Sequence, residues 1–260
     1  MKAINRKQSS RNEDWIQALG NIESLIPEKE YRAAEKKAIA DIRKTIKGKK
    51  TALAWSGGKD SVVLGHLCIK AGLTTSMIGM CNLEYPAFEA WVQANKPEGC
   101  EIINTGQDMA WLAKHQGMLF PQNSALIGRW YGIVQHHAQE DFYKRNSLDM
   151  LILGRRRADG NYTGTEGLYT NGRGITRFSP LYDWPHEMIL AGIHYNCLPL
   201  PPIYDWKDGY TQGTHPWPAR IHMKDAQQGW QEVFDIDPVI VRAAAETIPS
   251  AALFLQEVGA

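Results

Sequence analysis

The sequence carries almost no net charge, has few cysteines and lacks a long apolar run. Its 29 basic and 28 acidic residues leave a formal net charge of +1, so no overall field draws the chain to nucleic acid or to anionic lipid. No segment approaches the roughly 20 apolar residues of a membrane helix, and no apolar segment of signal-peptide type follows the polar N-terminal residues. We therefore expect a cytoplasmic protein, with no membrane binding and no indication of nucleic-acid binding.

The cysteines are few and widely spaced, at Cys68, Cys81, Cys100 and Cys197. They contain no Cys-x-x-Cys pair, so the spacing predicts neither a zinc site nor an iron–sulfur cluster, which needs four thiolate ligands. Disulfides are not expected in a reducing compartment. We predict that all four cysteines are small core residues and that the protein binds no metal directly.

The pattern of apolar residues indicates one large domain with a modest appendage. Helical spacing predicts helices over 12–26 and 28–46. Buried strands are predicted at 51–55, 74–83, 100–104 and 148–154, with helices at 61–71, 86–95, 107–114 and 124–145. Strands that alternate with helices predict an α/β fold with a Rossmann-like, doubly wound, mainly parallel sheet and helices on both faces.

The last hundred residues are rich in glycine, proline and aromatic residues and predict an irregular C-terminal lid region. Helices are expected near 185–196, 224–234 and 238–246, followed by a tail. We divide the chain into a 1–50 N-terminal helical extension, a 51–183 nucleotide-binding α/β domain, and 184–260 helices and loops packed on the same domain.

Residues 56–61 read Ser-Gly-Gly-Lys-Asp-Ser directly after the first predicted strand. Glycines allow the backbone N–H groups at a helix N-terminus to approach an oxyanion. Serine hydroxyls can donate further hydrogen bonds to its oxygens, and a lysine can neutralise its charge. The aspartate can cap the helix or hold Mg²⁺ through water. A plain Gly-Gly turn with a surface lysine is the alternative, but the whole combination favours nucleotide phosphates. The predicted phosphate-binding residues are Ser56, Gly57, Gly58, Lys59, Asp60 and Ser61.

This loop is not a Walker A loop, because Asp60 separates Lys59 from Ser61. The string S-G-G-K-D-S instead resembles the pyrophosphate loop of the N-type ATP pyrophosphatases, the adenine nucleotide α-hydrolase-like superfamily. LILGRRRADG and FSPLYDWPHEMILAGIHYNCLPLPPIYDWKDGY are similar to segments of the phosphoadenosine phosphosulfate reductase family, so the resemblance spans about residues 51 to 215. It implies a Rossmann-like fold that holds ATP or phosphoadenosine phosphosulfate, with Mg²⁺ carried on the nucleotide.

The resemblance also implies a set of site residues beyond the loop. In the GRRR segment it points to Gly154, Arg155, Arg156 and Arg157. Three consecutive arginines cannot all face one way, so we expect one or two to face phosphate and the others to form surface ion pairs. We predict that the catalytic residues are Lys59, Asp60 and Arg156. The late loop offers Tyr210, His215 and Arg220 as a lid over the nucleotide, although packing within an irregular loop is an equal alternative.

The sequence departs from the reductase pattern at its cysteines. No cysteine follows Cys197, and Thr214 and Trp217 stand where the family often has a cysteine pair. We therefore favour a PP-loop enzyme that cleaves ATP between the α- and β-phosphates by adenylyl transfer. The alternatives are reduction of phosphoadenosine phosphosulfate by an external thiol and nucleotide-dependent partner binding without turnover. The expected partner is a small-molecule nucleotide; a protein partner and a homo-oligomer are left open.

Overall fold

The computed structural model describes residue 4 and residues 11–260, which form an α/β fold around one six-stranded sheet. The strands are β1 Thr51–Ala54, β2 Ser76–Met80, β3 Glu101–Asn104, β4 Met150–Ile152, β5 Leu168–Thr170 and β6 Thr176–Phe178. Their order across the sheet is β3, β2, β1, β4, β6, β5. β1 pairs in parallel with β2 and β4, and β4 pairs in parallel with β6, whereas β5 is antiparallel to β6. The predicted mainly parallel sheet is confirmed.

The helices occupy the expected positions around these strands. Before β1 lie α1 Asn12–Gly20, α2 Ile22–Leu25 and α3 Glu28–Ile46. Between β1 and β4 lie α4 Lys59–Lys70, α5 Pro86–Asn95, α6 Met109–Lys114, α7 Ser124–Tyr131 and α8 His137–Arg145. After β6 lie α9 His186–Tyr195, α10 Gly209–Gln212, α11 Ala226–Ile236, α12 Pro238–Ala245 and α13 Pro249–Val258. Across residues 4 and 11–260, none of these helices has the length and apolar character that a membrane span requires.

Several predicted elements differ from the structure at their boundaries. The single helix predicted over 12–26 is interrupted at Asn21, which leaves the helical region at φ −119° and ψ 20°. The predicted 124–145 helix contains a π-helical segment, Gly132–His136. The C-terminal tail is helix α13, which buries Ala251 and Phe254. The β5–β6 hairpin was predicted as irregular chain, because strands of three residues are too short to show an alternating pattern.

The chain forms two compact units, each assembled from separated segments. The first contains the described residues up to Ile78, together with Trp91–Ile102 and Gln139–Gly213. The second contains Gly79–Ala90, Ile103–Ala138 and Thr214–Ala260. The division into 1–50, 51–183 and 184–260 stays a prediction, and within its first segment residues 1–3 and 5–10 lie outside the described part of the chain.

The core of the first unit holds α4 firmly beside the central strands. Leu53 of β1 and Ile152 of β4 are buried, as expected for strands covered on both faces. Val63 of α4 is also fully buried, and α9 approaches it through Gly192, where a Cβ atom would lie 2.9 Å from Val63 Cγ1. This close packing fixes the start of α4, and with it the loop that precedes the helix.

Candidate functional site

The 56–61 loop connects the end of β1 to the first turn of α4, and its backbone is shaped for an anion. Gly57 has φ +69°, a left-handed conformation that glycine adopts without steric cost. Gly58 precedes the 12-residue helix as its N-cap. Within residues 4 and 11–260, the N–H groups of Gly57 and Gly58 donate to no other group. These donors, together with the positive end of the helix dipole, can bind phosphate oxygens.

Ser61 holds the two sides of this loop together. The backbone N–H and the hydroxyl of Ser56 both donate to Ser61 Oγ at 3.1 Å. The Ser61 hydroxyl donates in turn to the Gly58 carbonyl at 3.0 Å. The loop conformation is therefore already stabilised by protein hydrogen bonds, so binding an anion would require little ordering of the backbone.

Lys59 is 2% exposed and lies between an aromatic ring and a carboxylate. Its Nζ is 2.7 Å from Asp60 Oδ2 and 5.0 Å from the centroid of the Trp15 ring. Its backbone N–H donates to the Tyr204 hydroxyl at 2.8 Å. Burial raises the pKa of Tyr204 well above its ordinary value, so this phenol stays neutral. The ammonium group is thus held at the loop by a cation–π contact and an ion pair.

Arg156 extends this ion pair from the opposite side of Asp60. The arginine is fully buried, and its Nε lies 2.7 Å from Asp60 Oδ1. Its Nη1 donates to the Trp184 carbonyl at 3.0 Å, and its Nη2 is 3.0 Å from Asp159 Oδ2. The structure therefore places the three predicted catalytic residues in one chain of charges, in which Arg156 orients Asp60 and bonds to protein groups through all three guanidinium nitrogens.

The other residues of the GRRR segment have different surroundings. Gly154 lies against the loop, where an added Cβ would be 3.4 Å from Asp60 Cβ. Arg155 Nη1 donates to the Tyr169 hydroxyl at 3.2 Å. The Arg157 side chain is 54% exposed and 3.6 Å from Asp183. The phosphate-binding role of these residues stays a prediction.

The three predicted lid residues are divided between the two units. Tyr210, in the first unit, is 4% exposed and stacks on Trp15 with ring centroids 5.3 Å apart. In the second unit, His215 Nε2 lies 3.0 Å from the Tyr131 hydroxyl. Also in the second unit, Arg220 is 3% exposed, with Nη2 2.9 Å from Glu232 Oε2. Each residue has partners within its own unit, and a lid function stays a prediction.

Sequence reasoning missed Trp15 and Tyr204 as parts of the site. Trp15 was assigned to the apolar face of a predicted N-terminal helix, and no local pattern connects it with Lys59. Tyr204 lies in the PPIYDWKDGY segment, 145 residues from Lys59, and its place in that family-like stretch was the one available signal. Both residues reach the loop only through tertiary packing.

The donor set at the loop does not fit a metal bound directly by Asp60. Both carboxylate oxygens of Asp60 accept hydrogen bonds from cationic side chains, which compete with a metal ion for the same lone pairs. Over the part of the chain that the structure describes, no group of three or more His, Cys, Asp or Glu side chains could hold a metal. Mg²⁺ carried on nucleotide phosphates stays a prediction.

Three of the four cysteine thiols are poorly suited to act as nucleophiles. Cys68, Cys81 and Cys100 are buried. Burial raises the pKa of Cys68 to about 12 and raises the pKa of Cys81 and Cys100 above the ordinary value, so these thiols stay protonated at neutral pH. Cys197 is exposed, so the prediction that all four are core residues is wrong there. It lies just after α9 with φ +49°, where the chain turns at the surface.

Comparisons with known proteins show the family and agree with the fold. The family model of the phosphoadenosine phosphosulfate reductase domain matches residues 50–212, which is more than half of the chain. A search of curated proteins found none that matches this chain.

Two solved structures resemble the chain over most of its length. The phosphoadenylyl-sulfate reductase of Candida auris is 15% identical, covering 68% of this chain and 90% of that chain, with a TM-score of 0.51. The FMN adenylyltransferase of Candida glabrata is 15% identical, covering 75% of this chain and 69% of that chain, with a TM-score of 0.51. These similarities show the shared fold.

Proposed function

Because the chain belongs to the phosphoadenosine phosphosulfate reductase domain family, we propose that it binds an adenine nucleotide at the 56–61 loop and cleaves ATP between the α- and β-phosphates. The observation that carries the proposal is the preformed loop. The glycine N–H groups face no protein acceptor among the described residues, and Lys59 is fixed beside them. Buried, oriented donors of this kind stabilise charge on phosphate oxygens.

In the proposed reaction an oxyanion of the acceptor attacks the α-phosphorus. The bond from that phosphorus to the bridging oxygen breaks, and the electron pair leaves with pyrophosphate. The loop N–H groups and Lys59 stabilise the charge that develops on the leaving group, while Arg156 keeps Asp60 oriented against Lys59. Catalysis then depends on positioning and electrostatics rather than on a protein nucleophile.

The state of the thiols favours this reaction over reduction by the protein itself. Attack on a sulfonate sulfur requires a thiolate, and burial keeps Cys68, Cys81 and Cys100 protonated. Phosphoadenosine phosphosulfate as the bound nucleotide, with an external thiol as reductant, is the second candidate, because the matched family carries that substrate in its name.

The Gly57→Ala substitution is expected to weaken ATP binding by roughly tenfold or more, because alanine disfavours positive φ and its Cβ intrudes on the phosphate approach. Gly72→Ala is the matched control. Gly72 follows α4 with φ +89°, and a Cβ there would meet nothing within 4 Å. Both variants carry a similar backbone cost, of roughly 1 kcal/mol. Isothermal titration with ATP measures both affinities, and equal losses in the two variants would contradict a phosphate role for the loop.

The products identify the reaction. With α-³²P-labelled ATP, Mg²⁺ and candidate oxyanion acceptors, we expect labelled AMP or an adenylate together with pyrophosphate. Adenosine 3′,5′-bisphosphate should compete with ATP only weakly. Strong competition, by a wide margin over ATP, would favour the phosphoadenosine phosphosulfate alternative. Tight ATP binding with neither product would instead indicate nucleotide-dependent partner binding.

A further inference from the structure

Arg177 of β6 is a buried cation without a counter-charge. It is 4% exposed, and its Nη2 donates to the neutral Gln139 Oε1 at 3.1 Å. Its Nε is buried and has no hydrogen-bond partner among the residues that the structure describes. Among residues 4 and 11–260 no carboxylate pairs with Arg177, and the remaining residues, 1–3 and 5–10, include no aspartate or glutamate.

The other deeply buried arginines are paired with carboxylates. In the first unit, Arg156 contacts Asp60 and Asp159. In the second unit, Arg220 contacts Glu232. Burying a charge without a partner is strongly unfavourable. When no anion is bound, the guanidinium of Arg177 therefore destabilises the folded protein. A bound anion would supply the missing charge.

A second unpartnered polar group lies on the same strand face. Ser179 is fully buried, and its Oγ has no hydrogen-bond partner within the described part of the chain. Ser179 directly follows β6, and its backbone N–H continues the hairpin pairing by donating to the Gly167 carbonyl at 2.8 Å. Because residues two apart in extended chain face the same way, Arg177 and Ser179 share the face on which Gln139 of α8 contacts the arginine. Two buried polar side chains with unused hydrogen-bonding capacity among the described residues therefore lie two positions apart in the first unit.

The position of these residues connects them to the edge of the sheet where the loop lies. β6 runs parallel to β4, with Leu151 opposite Arg177, and the Leu153 N–H donates to the Phe178 carbonyl at 2.9 Å. Ser179 therefore follows β6 at the same edge at which Gly154 follows β4. Ligands of open α/β sheets bind at this carboxyl edge.

We infer that Arg177 and Ser179, with Gln139, form a second oxyanion subsite that takes a phosphate or sulfate group. The guanidinium is a planar donor suited to tetrahedral oxyanions, and the serine hydroxyl can donate as well. Gln139 accepts from Arg177 through its carbonyl oxygen, so its amide group is also a donor. The subsite has donors and no carboxylate, which selects an anion over a cation. This group comes either from the nucleotide or from the acceptor.

The test measures binding of inorganic phosphate to the Gly57→Ala protein at constant ionic strength. This background weakens phosphate binding at the 56–61 loop, so the measured signal reports mainly on the subsite around Arg177. We expect phosphate to raise the unfolding temperature of this protein. Adding Arg177→Met should weaken phosphate binding by about ten- to a hundredfold. Without phosphate the Arg177→Met protein should unfold at the same or a higher temperature, because the unpaired buried charge is gone; a purely structural role predicts a lower one.

Arg173→Met is the matched control, since Arg173 lies in the same hairpin but is 60% exposed and paired with Glu140. It should leave phosphate binding unchanged. Ser179→Ala tests the subsite without removing a charge and should also weaken phosphate binding. An unchanged phosphate affinity in both Arg177→Met and Ser179→Ala, or no phosphate response in the Gly57→Ala protein, would overturn the inference. No turnover is measured, so this result does not depend on the proposed reaction.

Titration of ATP against the Arg177→Met variant in an otherwise wild-type background distinguishes the two sources of the oxyanion. Weaker binding of both phosphate and ATP would show that the subsite takes a phosphate of the nucleotide. Weaker binding of phosphate with unchanged ATP affinity would show that it takes the oxyanion of the acceptor. Either result supports the subsite and assigns its ligand.

Discussion

Arg156→Met is expected to lower the free energy of unfolding by about 3 kcal/mol, because two partly buried carboxylates, Asp60 and Asp159, lose the buried cation that they share. Arg156 is fully buried, and its guanidinium contacts both Asp60 and Asp159, while Lys59 pairs with the other oxygen of Asp60. The two aspartate side chains are 22% and 11% exposed, so water replaces the lost contacts only in part. Urea unfolding at neutral pH, followed by circular dichroism, measures the loss.

Arg157→Met is the neighbouring control for this prediction. The Arg157 side chain is 54% exposed and lies 3.6 Å from Asp183, and exposed ion pairs contribute about 0 to 1 kcal/mol. The two adjacent arginines should therefore differ clearly in their effect on stability. Similar small losses for both variants would show that Asp60 and Asp159 are stabilised by other groups, and that Arg156 does not orient the loop through Asp60.

Glu84 lies in the second unit, and Glu84→Gln is expected to remove the part of the pH dependence of the unfolding free energy that comes from ionisation of this carboxyl group. Burial raises the pKa of Glu84 to about 7, opposed in part by hydrogen bonds from Cys81. Glu84 Oε2 is buried, and no residue of the described ranges, 4 and 11–260, forms a hydrogen bond with it. The proton is bound more tightly in the folded state, so its stabilisation is complete below pH 4.5 and is lost as pH rises through 7.

The size of this effect follows from the shift, because each pKa unit corresponds to about 1.4 kcal/mol. Relative to the wild type, the Glu84→Gln protein should gain about 3 kcal/mol of unfolding free energy between pH 4.5 and pH 8. Urea unfolding across this pH range measures both proteins. Glu84→Met is a second side chain that cannot ionise and should show the same gain. Parallel pH curves for all three proteins would contradict an ionising buried Glu84.

Local sequence was sufficient to locate the 56–61 loop between β1 and α4 as a candidate phosphate site, because the residues of the loop are close together in the chain. The apolar strand, Gly57 and Gly58, and the serine at position 61 lie within a few residues, and the contact between Ser56 and Ser61 spans only five positions. The alternation of strands and helices likewise predicted the parallel sheet, since each segment carries its own hydrophobic period. The β5–β6 hairpin was missed because its strands are too short for that period to appear.

The surroundings of the site required the tertiary structure. Arg156 follows a strand in an arginine-rich segment, and the sequence alone predicts that its guanidinium faces phosphate. The fold decides its partners by bringing together residues 60, 159 and 184. Similarly, nothing near position 177 in the sequence indicates that its charge is buried beside a neutral glutamine.

The sequence by itself determined that this chain builds a mainly parallel α/β sheet with a glycine-containing loop between its first strand and the following helix, because hydrophobic period and glycine-dependent backbone geometry act over short distances. Only the tertiary structure decided which charges are already compensated. Arg156 is paired with Asp159, three residues along the chain, and with Asp60, 96 residues away, whereas Arg177 is buried with no carboxylate beside it among residues 4 and 11–260. The cost of a buried charge depends on every group around it in space, and those neighbours are set by packing.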